Sequence, residues 1–177
     1  TTFDKLLVDG RNAAAVHVTD EAELAGVSAD DKAGMREAAS ARGLDGWLVT
    51  ITNTTGQPVL ASLEDRSLRE EVFRASVGRG LGGEFDTRDV LVRLARLRAE
   101  RATLLGYEHH AAYIHETACA GSTEAVNDLL ARLAAGVVTV AEGEAQELAE
   151  RLERTDPGAT LEPWDWQFLA AKLKGDA

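Results

Sequence analysis

The sequence predicts an all-α fold, mainly helical, with one short strand or hairpin near residues 47–62. Three observations predict it. Apolar residues recur at helical spacing over most of the chain, helix-start signals precede several of these stretches, and only the run GWLVTITNTTGQP carries a β-branched alternation.

The elements follow in order. In SADDKAGMREAASARG, Ser28 stands three residues before Asp31, a pair of short side chains that can satisfy free amides at a helix start, and Gly43 is placed to stop that helix. From Trp47 to Thr52 the residues Trp47, Val49 and Ile51 alternate with Leu48, Thr50 and Thr52, which favours an extended strand. Its sequence neighbour NTTGQPVLAS is a poor partner, so the strand is expected to pair weakly or to lie against helices. Pro58 suits a first helical turn. In SLREEVFRASVG, Ser67 and Glu70 form a capping box, with Leu68, Val72 and Phe73 as the inner face. GRGLGGEFD then breaks the helix.

In TRDVLVRLARLRAERATLLG, Val90, Leu94, Leu97, Arg101 and Leu104 fall near helical spacing, and Leu91, Ala95, Ala102 and Leu105 widen the apolar stripe, with the arginines at 93, 96 and 98 facing water. A long helical pattern runs through Val126, Leu129, Leu130, Leu133, Val137 and Val140 to Leu148 and Leu152, weakened at Gly136 and Gly143, where a bend is expected. WDWQFLAAKLKG is read as a last helix, 164–174, behind Pro163. The organisation expected is a single helical domain over 1–177, with 156–163 as a linker to that C-terminal helix.

At 177 residues the chain is long enough to bury a core. Thirty acidic against 19 basic residues give a net charge of -11, which opposes capture by nucleic-acid phosphates or anionic lipid, so neither nucleic acid nor membrane is an expected partner. One cysteine, Cys119, excludes an internal disulfide framework and a multi-cysteine zinc site, and a cytoplasmic location is expected. The chain opens at Thr1 rather than at a methionine, so its native start is expected to lie elsewhere.

Four stretches have residues fit for chemistry. HHAAYIHE places the zinc-competent His109, His110, His115 and Glu116 within eight residues. A helical metal pair needs ligands three or four apart, whereas His110 and His115 are five apart and diverge around a helix, so a pH-sensitive contact is expected ahead of a metal site. GRGLGG has the glycine density of a phosphate loop at Gly78, Gly80, Gly82 and Gly83, but it follows a helix and lacks a Lys-Ser/Thr partner, so an interhelical loop is the expectation. Cys119 lies near the histidines in sequence, but a nucleophile needs a base placed beside it in space. EPWDW sets Trp164, Asp165 and Trp166 beside Phe168. It reads either as a stacking platform or as a wedge between a helix start and its neighbour.

The block LEPWDWQFLAAKLK resembles the L-x-x-W-D-W-x-Y-Y-x-x-K block of the thimet oligopeptidase and peptidyl-dipeptidase Dcp family of zinc metallopeptidases. The resemblance extends over ELAGVS, ARGLDGWLVTITNTTGQPVLASLEDRSLREEVFRASVGRG, FDTRDVLVRLARLRAERATLLGYEHHAAYI and STEAVNDLLARLA, in family order, with Trp47 to Tyr113 the most specific. It implies a helical channel-wall region ahead of a catalytic segment in which an H-E-x-x-H helix and a further glutamate hold zinc. No H-E-x-x-H occurs in this sequence, so no catalytic, cofactor or metal residue is carried over, and zinc is expected only in the full family enzyme. Phe168-Leu169 replaces the family's Tyr-Tyr. Two readings result: a peptidase part inactive alone and completed by a downstream catalytic half, or a free-standing helical protein binding a short peptide or partner. Trp164, Asp165, Trp166 and Phe168 are the candidate interaction surface. If Trp164, Trp166, Phe168, Leu169 and Leu173 normally pack against a catalytic half, the chain alone is expected to cover them by folding the last helix back on itself, by dimerising or by exchanging that helix with a second copy, with self-association expected first.

Overall fold

A computed structural model describes residues 2–52 and 56–175. The chain is mainly helical: α1 (Thr2–Ala13), β1 (Val16–Val18), α2 (Ala29–Ser40), β2 (Trp47–Val49), α3 (Arg66–Val77), α4 (Arg88–Leu104), α5 (His110–His115), α6 (Thr123–Thr155) and α7 (Trp166–Gly175). Short 3-10 turns occupy Glu21–Leu24, Pro58–Ala61 and Gly83–Phe85. Contacts group the residues into two compact units, Thr1–Thr87 with Leu148–Ala177, and Arg88–Glu147, where one domain over 1–177 was expected.

In the first unit the strand expected at Trp47 is present, but its partner is not the segment that follows it. β1 pairs antiparallel with β2 in the register Val16↔Val49, His17↔Leu48 and Val18↔Trp47. Three residues are too few for alternation to announce a strand, which is why VHV carries no sequence signal. Residues 58–61 form a 3-10 turn with Pro58 in its first position, not the second arm of a hairpin. The centre of NTTGQP, 53–55, lies outside the described residues. Trp47, Leu48 and Val49 are all buried, so β2 has no solvent face. Two glycines allow this packing. Gly46, at φ +87°, has no room for a side chain, since a Cβ there would lie 2.4 Å from the Val18 carbonyl oxygen. Gly26, at φ +85°, faces the Ser62 carbonyl in the same way, at 2.1 Å. Val16, Val18, Leu24, Val27, Trp47, Val49, Ile51, Leu60, Leu63, Leu68 and Val72 make one continuous apolar core.

Helix starts follow local chemistry. Ser28 caps α2, accepting from the Asp31 amide at 3.1 Å while donating to the Asp31 carboxylate at 2.6 Å. The capping box expected at Ser67 and Glu70 is corrected: Asp65 caps α3, its Oδ1 accepting from the Leu68 amide at 2.7 Å, and Ser67 lies inside the first turn. An aspartate two residues earlier reaches the same free amides with a charged acceptor, which suits the positive end of a helix. α6 is capped by Ser122, which accepts from the Ala125 amide at 3.1 Å, and runs as one helix through Gly136 and Gly143.

The last part of the first unit returns to α3. Leu148, Leu152 and Leu169 form a second small core, lined by Ala159, Leu161, Trp166, Phe168, Ala170 and Leu173. The segment 156–163, expected as a linker, thus supplies core residues, and α7 begins at Trp166 because the turn before it is fastened by Asp165.

In the second unit Ala102 of α4 is fully buried and α4 packs on α5, where Tyr107 and Tyr113 meet edge to face at 5.2 Å and Arg101 donates to the Tyr113 hydroxyl at 2.8 Å. The apolar stripes read from the sequence are present but uncovered. Leu97 of α4 is 50% exposed, and Leu130, Leu133 and Val137 of α6 are 57%, 54% and 61% exposed.

Candidate functional site

Asp165 of EPWDW is the most constrained ionisable group in the chain's C-terminal region: it is fully buried between two arginines. Its Oδ1 accepts from Arg66 Nε at 3.0 Å and from Arg69 Nη2 at 3.1 Å, and its Oδ2 accepts from Arg66 Nη2 at 2.7 Å and from the Glu162 amide at 3.1 Å. Helix geometry explains the pairing, because Arg66 and Arg69 are three apart in the first turn of α3 and so share a face. Both guanidinium groups have further acceptors. Arg66 donates to the Thr160 carbonyl at 2.7 Å, and Arg69 to the Leu63 and Glu64 carbonyls at 2.8 and 3.0 Å. Burial alone pushes the Asp165 carboxyl up, but the hydrogen bonds from Arg66, Arg69 and the Glu162 amide outweigh it and hold the group below its ordinary value. Arg66 is raised in turn, chiefly by its hydrogen bond to Asp165.

Aromatic rings close the cluster. Arg69 lies over the Phe168 ring at 4.2 Å, Arg74 lies over Trp164 at 5.1 Å, and Phe73 meets Trp164 at 6.1 Å. Trp164 therefore wedges the start of α7 against α3, while Trp166 packs into the second small core. Asp165 has no free carboxylate oxygen to present, Leu169 is buried, and Trp164, Trp166, Phe168 and Leu173 are half-buried, so the last helix is folded back on the chain's own packing, one of the three arrangements expected for it. Arg66 and Arg69, the residues that organise the site, were not singled out in the sequence. Their signal was present in LEDRSLRE, two arginines one helical turn apart behind a capping aspartate.

The histidine block does other work. His109 caps α5, its Nδ1 accepting from the Ala112 amide at 3.0 Å, and Glu116 accepts a short hydrogen bond from the Tyr107 hydroxyl. His110 packs beside Tyr113, with ring centres 6.2 Å apart. Among the described residues no group of three or more His, Cys, Asp or Glu side chains is placed to hold a metal ion, so the residues present do not fit the zinc that the resemblance implies. Cys119 is exposed. In GRGLGG, the Gly80 carbonyl accepts from the Thr87 amide at 3.0 Å and the Thr87 hydroxyl at 3.3 Å, which ties the glycine loop back on itself.

The two motifs joined by this ion cluster, LEDRSLRE and WDW, are among those that carry the family likeness. The sequence pattern of peptidase family M3 matches residues 59–176, a span that holds Arg66, Arg69 and Asp165 together. The chain belongs to peptidase family M3. It is 34% identical over 174 residues to the dipeptidyl carboxypeptidase of Escherichia coli, a match covering 97% of this chain and 26% of that protein. With oligopeptidase A of Escherichia coli it shares 33% identity over 162 residues, covering 89% of this chain and 24% of the relative. With a probable cytosolic oligopeptidase A of Arabidopsis thaliana the identity is 29% over 130 residues, covering 72% and 18%. The chain thus spans about a quarter of the length of the bacterial relatives.

Proposed function

We propose that this chain is a non-catalytic helical part of an M3 peptidase, contributing to the wall of a peptide-binding channel and completed by a catalytic segment that supplies the zinc site. One observation carries the reading: the chain matches the family over 59–176 and yet contains no H-E-x-x-H. A zinc-bound water needs about three protein ligands around one open position. Peptides are the substrate class of the complete protein on this reading, in keeping with the names of its relatives. The exposed Leu and Val residues of α4 and of the middle of α6 support a further polypeptide as partner, since apolar stripes on helices gain by being covered. Among the described residues no helix is long and apolar enough to cross a membrane.

The test is hydrolysis of short peptides by the purified chain, with and without added zinc. The expected result is no turnover, and recovery of turnover when a polypeptide bearing the H-E-x-x-H segment is added. Turnover by the chain alone, abolished by a chelator and by His110→Ala, overturns the reading.

A further inference from the structure

Arg36 of α2 lies with its guanidinium carbon 4.8 Å from the centre of the Trp47 ring. Among the described residues it has no hydrogen bond or ion pair. It stands at a cleft of about 340 Å³ whose floor is made by Trp47 and Val27, 7% and 8% exposed, and whose rim carries Lys32 and Glu21. Glu21, the acidic lining residue, is engaged by Lys32 at 3.3 Å, so the charge left unanswered in the cleft is that of Arg36. From these observations we propose that the cleft binds a carboxylate on a short apolar stem.

The geometry suits that group. Stacking on an indole covers the face of a guanidinium and leaves its edge donors pointing outward, and that edge fork matches the two oxygens of a carboxylate. The ring also fixes the side chain, so less conformational freedom is lost on binding than at an unstacked surface arginine. Val27, Ala29 and Ala33 provide a small apolar wall suited to a short stem. In a chain of net charge -11 an acidic ligand is repelled at long range, so binding here is short-range and geometric. The inference is independent of the peptidase reading and would stand in a protein of any activity.

Two sources offer this chemistry, the C-terminal carboxylate of a peptide and an acidic side chain. The probes are acetyl-Ala-Ala with a free carboxylate, the same peptide as its amide, and acetyl-Glu-amide. Each is titrated into the chain while the Trp47 indole N–H signal is followed by NMR, assigned by elimination with Trp164→Phe and Trp166→Phe. The free-carboxylate peptide, the Glu amide or both should shift this signal, and whichever binds identifies the source. The Ala-Ala amide should bind about tenfold more weakly or not at all, Arg36→Ala should lose a similar factor, and Arg36→Lys should fall between. Arg36 is exposed, so its variants should keep the fold, and Arg132→Ala should leave binding unchanged. Equal binding of the Ala-Ala acid and its amide, unchanged binding by Arg36→Ala, or no shift with any probe overturns the proposal.

Discussion

Arg69 and Asp165 meet at 3.1 Å across 96 positions of sequence, and both are buried. The contact joins the first turn of α3 to the turn that opens α7, and its strength depends on completeness. Asp165 is fully satisfied by two arginines and a backbone amide, so removing it strands a buried guanidinium.

Asp165→Ala should therefore destabilise the fold by about 3–5 kcal/mol, the usual cost of leaving a buried charge unpaired. Arg66→Ala should cost less, because Arg66 is 34% exposed and water can replace part of its role. Urea unfolding of the three proteins checks the order. Equal losses for both variants would show that Arg69 does not depend on Asp165.

The same carboxylate gives a pH dependence. Its folded-state pKa is lowered, so protonation favours the unfolded chain. The stabilisation is complete above the ordinary aspartate value of about 3.9 and is lost as pH falls below it toward the depressed value. The acid limb of the stability profile should flatten in Asp165→Asn relative to the parent, measured as thermal midpoint between neutral and acid pH. A parallel limb would remove Asp165 from the acid response.

Helix α3 offers a test of its start. Asp65→Ala should cost about 1 kcal/mol through loss of the cap, while Ser67→Ala should stay within about 0.5 kcal/mol. The reverse order in thermal unfolding would restore Ser67 as the cap.

Much of this fold is legible in the sequence, for reasons that differ by element. Ser28 and Pro58 act within one turn of themselves, so their neighbours suffice to place them. α6 is long, and its Leu and Val residues repeat often enough to outvote Gly136 and Gly143. β1 is illegible because its evidence is its partner, 29 or more positions away, not its own three residues. Asp165 shows the same limit at the site. EPWDW draws notice for its tryptophans, but its most constrained residue is the carboxylate between them, whose partners lie in LEDRSLRE. Nor does an amphipathic pattern say how far its apolar side is covered: the stripe of α4 and that of α7 look alike in sequence, yet Leu97 of α4 is half exposed and Leu169 of α7 is buried.

That difference predicts where a dye for apolar surface binds. Replacing Leu130, Leu133 and Val137 with Gln should reduce fluorescence of bound anilinonaphthalene sulfonate while leaving far-ultraviolet circular dichroism nearly unchanged, since these side chains are more than half exposed. Leu169→Gln should do the opposite, raising dye binding by opening a buried position. Unchanged fluorescence in the triple variant would place the dye's surface elsewhere.

The unit that holds Asp165 is discontinuous, made of Thr1–Thr87 and Leu148–Ala177. Order of synthesis is therefore at odds with order of assembly. A ribosome delivers Arg66 and Arg69 early and Asp165 ninety-nine residues after Arg66, so the guanidinium pair must wait, solvated, through the making of the whole of Arg88–Glu147. The larger unit cannot close until α7 arrives, so the ion cluster forms only after the intervening stretch has been made, and it is a late contact of this unit rather than its nucleus.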